Sequence, residues 1–319
     1  MGNIIPTKIP TISVILPTHN RGHSIKRAIQ SVLDQTYQNF ELIIVNDGSK
    51  DNTEEIVKEY KDQRIKYIKH EINQGAGVAR NTGLKSARGA YIAFQDSDDE
   101  WLPEKLQKQI EVYQRATTDI GVVYTDMYRI SEMGEMKYWK SPVIKKGQLI
   151  NPKTLDYQTQ GLGIQSTLIR RDCFNVVGLF DENLPRWIDL ELFIRLSKYY
   201  EFTCIRDPLV KYYANEGISS NLNNLNIARE YLIQKYSEEF KKNRKYLASQ
   251  QYYISVDLFR CRNYGQSMTW MKKVITTHPL ILAHPRIIRY NLGIILSKFI
   301  SWHTKSQGNH RISAKLPKN

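Results

Sequence analysis

The sequence predicts an α/β fold, a mostly parallel sheet covered by helices on both faces. Three observations carry that expectation. Short apolar runs alternate with helical patterns over residues 12–94. Polar residues, several of them acidic, follow those runs, at the strand ends where open α/β sheets bind ligands. The charge is also uneven. Residues 1–225 hold 29 Lys+Arg against 28 Asp+Glu, and residues 226–319 hold 17 against 4, within a net charge of +14. The last third is therefore a physically different, basic segment.

The elements follow in order. Residues 12–16 form a β-rich run closed by Pro17. Ile25, Ala28, Ile29, Val32 and Leu33 share one helical face. Residues 41–45 are a second apolar run, ending in Asn46-Asp47-Gly48-Ser49. A helix starts near 51–54, with Ile56, Val57 and Tyr60 inward. Residues 65–68 are a short strand, 75–87 a helix opened by glycine, and 91–94 the next strand. Another helix follows Pro103, residues 161–171 read as a loop and then a strand, and a helix starts near 186. Residues 133–146, polar and containing Gly134, read as part of a loop.

Composition bounds the class. A chain of 319 residues can bury one large core, or one core plus an appendage. Hydrophobic content of 41% with 24% charged residues suits a soluble globular protein. Cys173, Cys204 and Cys261 are odd in number and far apart. They form neither a disulfide framework nor a zinc set and suit a reducing cytosol. The N-terminal residues lack a basic-then-apolar signal pattern. No stretch reaches the roughly 20 apolar residues of a membrane span. The nearest, 287–300, is interrupted by Arg289, Asn291 and Lys298.

Candidate chemistry gathers at the strand ends. Asp96-Ser97-Asp98-Asp99 packs three carboxylates into four residues after a strand. Like charges so close invite a hard divalent cation, Mg²⁺ or Mn²⁺, shared with a substrate phosphate. A solvated acidic turn capping the next helix is the plain alternative. Asp47 could accept from a base N–H or a ribose hydroxyl, or Asp47-Gly48 could be only a turn. The helix that opens at Asn73-Gln74-Gly75-Ala76-Gly77 offers free N–H groups to phosphate, with Arg80 one turn in. Its glycines could equally serve close packing.

Four motifs occur in order: Ser13-Val14-Ile15-Leu16-Pro17-Thr18-His19-Asn20-Arg21, Val45-Asn46-Asp47-Gly48-Ser49, Gly77-Val78-Ala79-Arg80-Asn81-Thr82-Gly83 and Asp96-Ser97-Asp98-Asp99. Their combination strongly resembles the family 2 glycosyltransferases, which have the GT-A fold. The resemblance covers roughly residues 10–225 and is most specific in the first 110. It implies a Rossmann-like mixed sheet flanked by helices, with a nucleotide-sugar half at about 10–120 and an acceptor half at about 121–225. It places the Asp-x-Asp motif at Asp96-Ser97-Asp98, with Asp98 and Asp96 toward Mn²⁺ or Mg²⁺. It further implies nucleotide-sugar contacts at Pro17, Thr18, Asn20, Arg21, Asp47, Gly75, Arg80, Asp96 and Ser97.

Downstream, Val177-Gly178-Leu179-Phe180-Asp181 leads to Arg186-Trp187-Ile188-Asp189-Leu190-Glu191. There the resemblance implies a general base at Asp189. Trp187 reads as an acceptor contact, and Glu191, two residues on and facing elsewhere on a helix, as an acceptor contact or a structural residue. A carboxylate opposite the leaving diphosphate can take the proton of the attacking hydroxyl, and one base with direct displacement implies inversion. Without the upstream motifs, Asp189 would read as a helix first-turn acid. By family frequency the donor is UDP-linked. The acceptor is a glycan, a lipid-linked sugar or a protein, in cell-surface polysaccharide synthesis.

The departures are informative. His19 stands where many relatives have Tyr and is assigned no role. Gln95 replaces an aliphatic residue. Where the family often has a His for metal or diphosphate, this chain has Asn215. Arg186-Trp187 lacks the Gln of the processive Gln-x-x-Arg-Trp motif, so one sugar is transferred per encounter. A sugar nucleotidyltransferase would need a Gly-rich triphosphate loop after the first strand, and none is present. The remaining alternative is a catalytically inactive member that binds a glycan or a partner.

In the basic extension, 226–319, apolar residues recur at helical spacing: Ile227, Tyr231, Leu232, Tyr236 and Phe240, then Ile254, Leu258 and Cys261, then Met268, Met271 and Ile275. Residues 286–305 form a basic amphipathic segment, suited to peripheral contact with an anionic membrane at the inner face of the cell membrane or to capping the domain. No nucleic-acid motif is present, so nucleic acid is not expected as a partner.

Overall fold

The computed structural model describes residues 10–153, 155–214, 222–285 and 287–288. They divide into two compact units, residues 10–151 with 156–232, and residues 152–155 with 233 onward.

The first unit opens with three strand–helix pairs: β1 (Ile12–Thr18), α1 (Ile25–Leu33), β2 (Phe40–Asp47), α2 (Thr53–Glu59), β3 (Ile65–His70) and α3 (Ala76–Ser86). Next come β4 (Tyr91–Phe94), β5 (Glu100–Trp101) and α4 (Lys105–Arg115). The second half holds β6 (Ile120–Ile130), β7 (Met136–Trp139), β8 (Thr167–Arg170), α5 (Cys173–Val177), α6 (Ile188–Tyr199) and β9 (Glu201–Tyr213). One sheet runs β3-β2-β1-β4-β8-β6-β9-β5, with β7 paired to β6.

Strands β3, β2, β1 and β4 are parallel, as expected from the alternating pattern. β8 then runs antiparallel to both β4 and β6, which makes the sheet mixed. Every residue of β1 and β2 is buried, the signature of a strand covered on both faces. Alternate residues divide between two cores. Ile12, Val14 and Leu16 pack with Ile25, Ala28, Ile29 and Val32 of α1. Ile15 packs on the other side with Ala79 and Leu84 of α3 and with Leu192, Phe193 and Leu196 of α6.

Residues 133–146 differ from the loop expected of them. β7 pairs antiparallel with β6 in the register Met127↔Trp139, Arg129↔Lys137. Buried Asp126 holds this ribbon by accepting from Ser141 N at 2.8 Å, Arg206 Nη1 at 3.0 Å and the Tyr138 hydroxyl. No alternation of buried and exposed residues marks β7 in the sequence, because all four of its residues, Met136, Lys137, Tyr138 and Trp139, are exposed.

The second unit is helical. α7 (Leu222–Lys235) leads into it, followed by α8 (Ser237–Lys241), α9 (Arg244–Arg260) and α10 (Tyr264–Thr277). Ala248, Tyr252, Tyr253 and Val256 of α9 pack against Val274 and Ile281. Ser255 and Ser267 exchange 2.8 Å hydrogen bonds, each hydroxyl donating to the other's carbonyl, so the two helices meet closely there. Leu232, Tyr236, Phe240, Ile254 and Leu258 are buried as their spacing suggested. Ile227, Cys261, Met268 and Ile275 are exposed instead. On α10 the inward line runs through Ser267 and Val274, one residue before the apolar positions that the spacing selected. No helix of the described residues is long and apolar enough to cross a membrane. Asn215 lies outside the described residues, as does nearly all of 286–305.

Candidate active site

The nucleotide-side residues gather where β1 and β2 end. Thr18 is buried, and its Oγ1 has no hydrogen-bond partner. Pro17 is buried beside it on β1. Asn20 adopts φ +52°, a left-handed conformation that asparagine tolerates. From there it clamps two loops, its N–H donating to Ser49 Oγ at 2.9 Å while its Oδ1 accepts from Lys50 N at 2.8 Å. Arg21 reaches Asp98 Oδ2 at 3.5 Å.

Asp47 does more than turn the chain. Its buried carboxylate accepts from Gln74 N at 3.0 Å and Gly75 N at 2.8 Å, and His70 Nδ1 lies 2.7 Å from Oδ1. It thereby fixes the loop that starts α3. His70 belongs to this arrangement and was not among the expected residues. β3 runs two residues further than its apolar run, and the parallel register seats His70 beside Asp47. Nothing in the local sequence announces that register. His19, assigned no role above, sits 2.7 Å from the Asp47 carbonyl through Nδ1.

Gly75 caps α3 at φ +95°, with open space where a side chain would be. Gly48 is tighter. At φ +67°, a Cβ there would lie 2.5 Å from Ile72 C and 2.6 Å from Asn73 N, backbone that cannot step aside cheaply. Gly48→Ala is expected to cost about 1–3 kcal/mol, through left-handed strain and overpacking. A denaturation midpoint measures the stability, and weaker nucleotide binding should accompany the loss.

The acidic turn follows β4. The Asp99 N–H donates to the Asp96 carbonyl at 3.1 Å, and Asp99 Oδ1 accepts from Tyr213 N at 3.0 Å, tying the turn to β9. β5 strengthens the tie through Lys211 Nζ and Glu100 Oε1 at 2.7 Å. Burial, then repulsion from Asp96, raises the Asp98 carboxyl, with Arg21 opposing. The same two causes, with Asp98 added, raise the fully buried Asp99 much further. Cations face the cluster. Arg80 Nη2 pairs with Asp96 Oδ1 at 2.7 Å, and Arg27 Nη2 donates to the Asp98 carbonyl at 2.5 Å. Arg80 is itself buried, and its Nε has no partner. Ser97 is buried within the turn.

Asp189 stands in the first turn of α6, half-buried, its Oδ1 accepting from Leu190 N at 2.8 Å. Burial raises its carboxyl, Arg80 opposes that rise, and Asp96 adds to it. Asp96 and Asp189 line one cleft of about 460 Å³, together with Gln165, Tyr212, Trp139 and Arg129. Those last four escaped the sequence reading, because they converge from β6, β7, β9 and the turn Ile164–Ser166. Glu191, read as an acceptor contact or a structural residue, is fully buried. Its oxygens accept from Arg195 Nε at 2.9 Å and Nη2 at 2.7 Å. Trp187 takes φ +64°, and its ring is flanked by Arg229 at 4.7 Å and Tyr157 at 6.1 Å.

Comparison with known proteins fits this geometry. The sequence profile of Glycosyl transferase family 2 matches residues 13–178, half of the chain. The chain belongs to that family. This glycosyltransferase is 34% identical over 211 residues to an uncharacterized glycosyltransferase of Methanocaldococcus jannaschii, covering 64% of this chain and 70% of that one. It is 50% identical over 101 residues to the Escherichia coli UDP-Glc:alpha-D-GlcNAc-diphosphoundecaprenol beta-1,3-glucosyltransferase WfgD, covering 32% and 40%. Against a Rickettsia felis glycosyltransferase the match is 29% identical and covers 72% of this chain but 39% of the relative. Against one from Rickettsia typhi it is 34% identical and covers 61% and 62%. The chain thus spans roughly two to three fifths of those Rickettsia proteins. In fold it is similar to S. aureus TarS 1-349, crystallised with UDP-GlcNAc. The TM-score is 0.58 at 19% identity, over 89% of this chain and 92% of that one. The chain is thus a family 2 member with the fold of TarS and a mixed sheet, and it is also 47% identical over 104 residues to the putative teichuronic acid biosynthesis glycosyltransferase TuaG of Bacillus subtilis, covering 32% of this chain and 41% of that one.

Proposed function

We propose that the enzyme transfers one sugar per encounter, with inversion, from a UDP-linked donor to a hydroxyl of a lipid-linked or glycan acceptor. The site would be the inner face of the cell membrane. The observation that carries this reading is that Asp96 of the acidic turn and Asp189 line one cleft. The names of relatives support the substrate classes, since WfgD takes UDP-Glc and a diphosphoundecaprenol-linked sugar.

Asp189 is the base in this reading. Its carboxylate removes the proton of the acceptor hydroxyl as that oxygen attacks the anomeric carbon. Arg80 supplies positive charge beside Asp96, with an Nε free to meet a phosphate oxygen. Thr18 Oγ1, also without a partner, is the second open polar atom on the donor side. Asp96 and Asp98 suit Mn²⁺ or Mg²⁺. They are hard oxygen donors, each about one quarter exposed, and repulsion between them helps to raise the Asp98 carboxyl. Among the described residues no three potential ligands form a closed cage. Magnesium commonly binds through one or two carboxylates with substrate phosphates, which two aspartates allow. When bound, such a cation would neutralise charge on the leaving diphosphate.

Calorimetric titration of UDP, GDP, CDP and ADP, with and without Mn²⁺, tests the donor side. UDP binding that needs the metal and weakens at least about tenfold in Asp98→Ala is expected, the worth of one charge-assisted contact. Binding of none of the four would overturn the transferase reading.

A further inference from the structure

The strand pairing around β7 places an unusual row of side chains at the edge of the cleft, Arg129 and Tyr212 among its lining. Arg129 on β6 lies directly opposite Lys137 on β7 and beside Tyr212 on β9. Partners in register share a face of the sheet, so these three point the same way. Met127 and Trp139 form the next row on that face, and Met127, Arg129, Trp139 and Tyr212 all line the cleft that holds Asp189.

Two cations directly opposite each other on a ribbon are destabilising unless something offsets them. Lys137 has an offset in Glu135, at 3.0 Å. Arg129 has none. Among the described residues its guanidinium forms no ion pair or hydrogen bond and lies 5.8 Å from the Trp139 ring centroid. The indole is in turn held by its Nε1–H donating to the Gly161 carbonyl at 3.3 Å, and it remains 40% exposed. A pinned, exposed aromatic face beside an unpaired planar cation has the chemistry of a site for a sugar that carries an anion. Asp189 in the same cleft would repel that anion, which assigns it to Arg129 among the lining side chains.

We propose that this face of the β6–β7 ribbon is the acceptor subsite, and that it selects acceptors with an anionic group next to the sugar. The sugar rests on Trp139, and the anion is taken by Arg129. This rests on the transferase reading for its location but is testable without turnover. Two sources of the anion share this chemistry, the diphosphate of a lipid-linked sugar and the carboxylate of a uronic acid.

The experiment is calorimetric titration of three short-chain probes into the full chain, without donor. They are an alkyl glycoside of N-acetylglucosamine, the same sugar as an alkyl diphosphate, and an alkyl glucuronide. At least one charged probe should bind tighter than the neutral one. Which of the two binds tighter names the source of the anion. Arg129→Ala should reduce that preference about 10- to 100-fold, the worth of a charge-assisted hydrogen bond, and Arg129→Lys should retain part of it. Trp139→Ala should weaken all three probes alike. Equal binding of neutral and charged probes by the parent would overturn the proposal. So would an equal loss on both in Arg129→Ala, or a fall in UDP affinity in that variant, which would assign Arg129 to the donor. A protein that discriminates among the probes but transfers nothing would leave the subsite standing and overturn only the catalytic reading.

Discussion

Replacing Asp189 by Asn is expected to lower kcat by about 10²- to 10⁴-fold, the usual contribution of a positioned general base. Asparagine keeps the shape and the hydrogen bond from Leu190 N but cannot take a proton. UDP affinity in the same variant should therefore stay close to that of the parent, which separates lost chemistry from lost binding. The pH profile offers a second test. Asp189 works only as a carboxylate, and burial holds its pKa above the ordinary aspartate value. Activity should fall as pH drops through that raised value, so the acid limb of kcat/KM lies above the usual range near about 3.9. Arg80 opposes the rise, so Arg80→Met should move the limb to still higher pH while weakening the donor. A limb unmoved in that variant would argue that another group sets it.

The largest stability loss is expected at Glu191. Its side chain is fully buried and pairs with Arg195, itself 17% exposed. Arg195 also donates to the Gly178 carbonyl at 3.2 Å and the Leu179 carbonyl at 2.8 Å, and to the Val177 carbonyl. The pair thus pins the segment that Asn81 grips from α3, where Asn81 Nδ2 donates to the Phe180 carbonyl at 3.0 Å and Asn81 Oδ1 accepts from Phe180 N at 2.9 Å. Glu191→Ala leaves a cation stranded there, an error that costs about 3–5 kcal/mol. A melting-temperature loss of roughly 6–20 °C is the corresponding readout. The paired replacement Glu191→Met with Arg195→Met should recover part of it, because an apolar pair leaves no buried charge. Equal losses in the single and double variants would show that the stranded charge of Arg195 is not what destabilises the single variant.

Much of the first unit was legible in the chain. The strand at 91–94 was placed at its ends, and those at 12–16 and 41–45 fell short by only one to three residues. The inward face of α1 followed from the spacing of Ile25, Ala28, Ile29 and Val32. Local signals suffice there because each element buries a face whose period matches its own geometry. Asp189 and the acidic turn were singled out by motif, and Asp96 and Asp189 line one cleft. Of the two readings open for Glu191, acceptor contact or structural residue, its burial favours the second. Two residues on from Asp189 along a helix, a carboxylate faces another direction, and here that direction is the core.

By itself the sequence determined the alternation of strands and helices, the identity of the acidic turn and the separate basic extension. These depend on periodicity and on residues adjacent in the chain. Tertiary structure alone decided what meets what. It set the antiparallel insertion of β8 that makes the sheet mixed, the register that joins His70 to Asp47, and the pairing that turns Arg129, Trp139 and Tyr212 into one cleft with Asp189. Those partners lie tens of residues apart. Their meeting is fixed by how strands pair across the sheet, and no local stretch of chain records it.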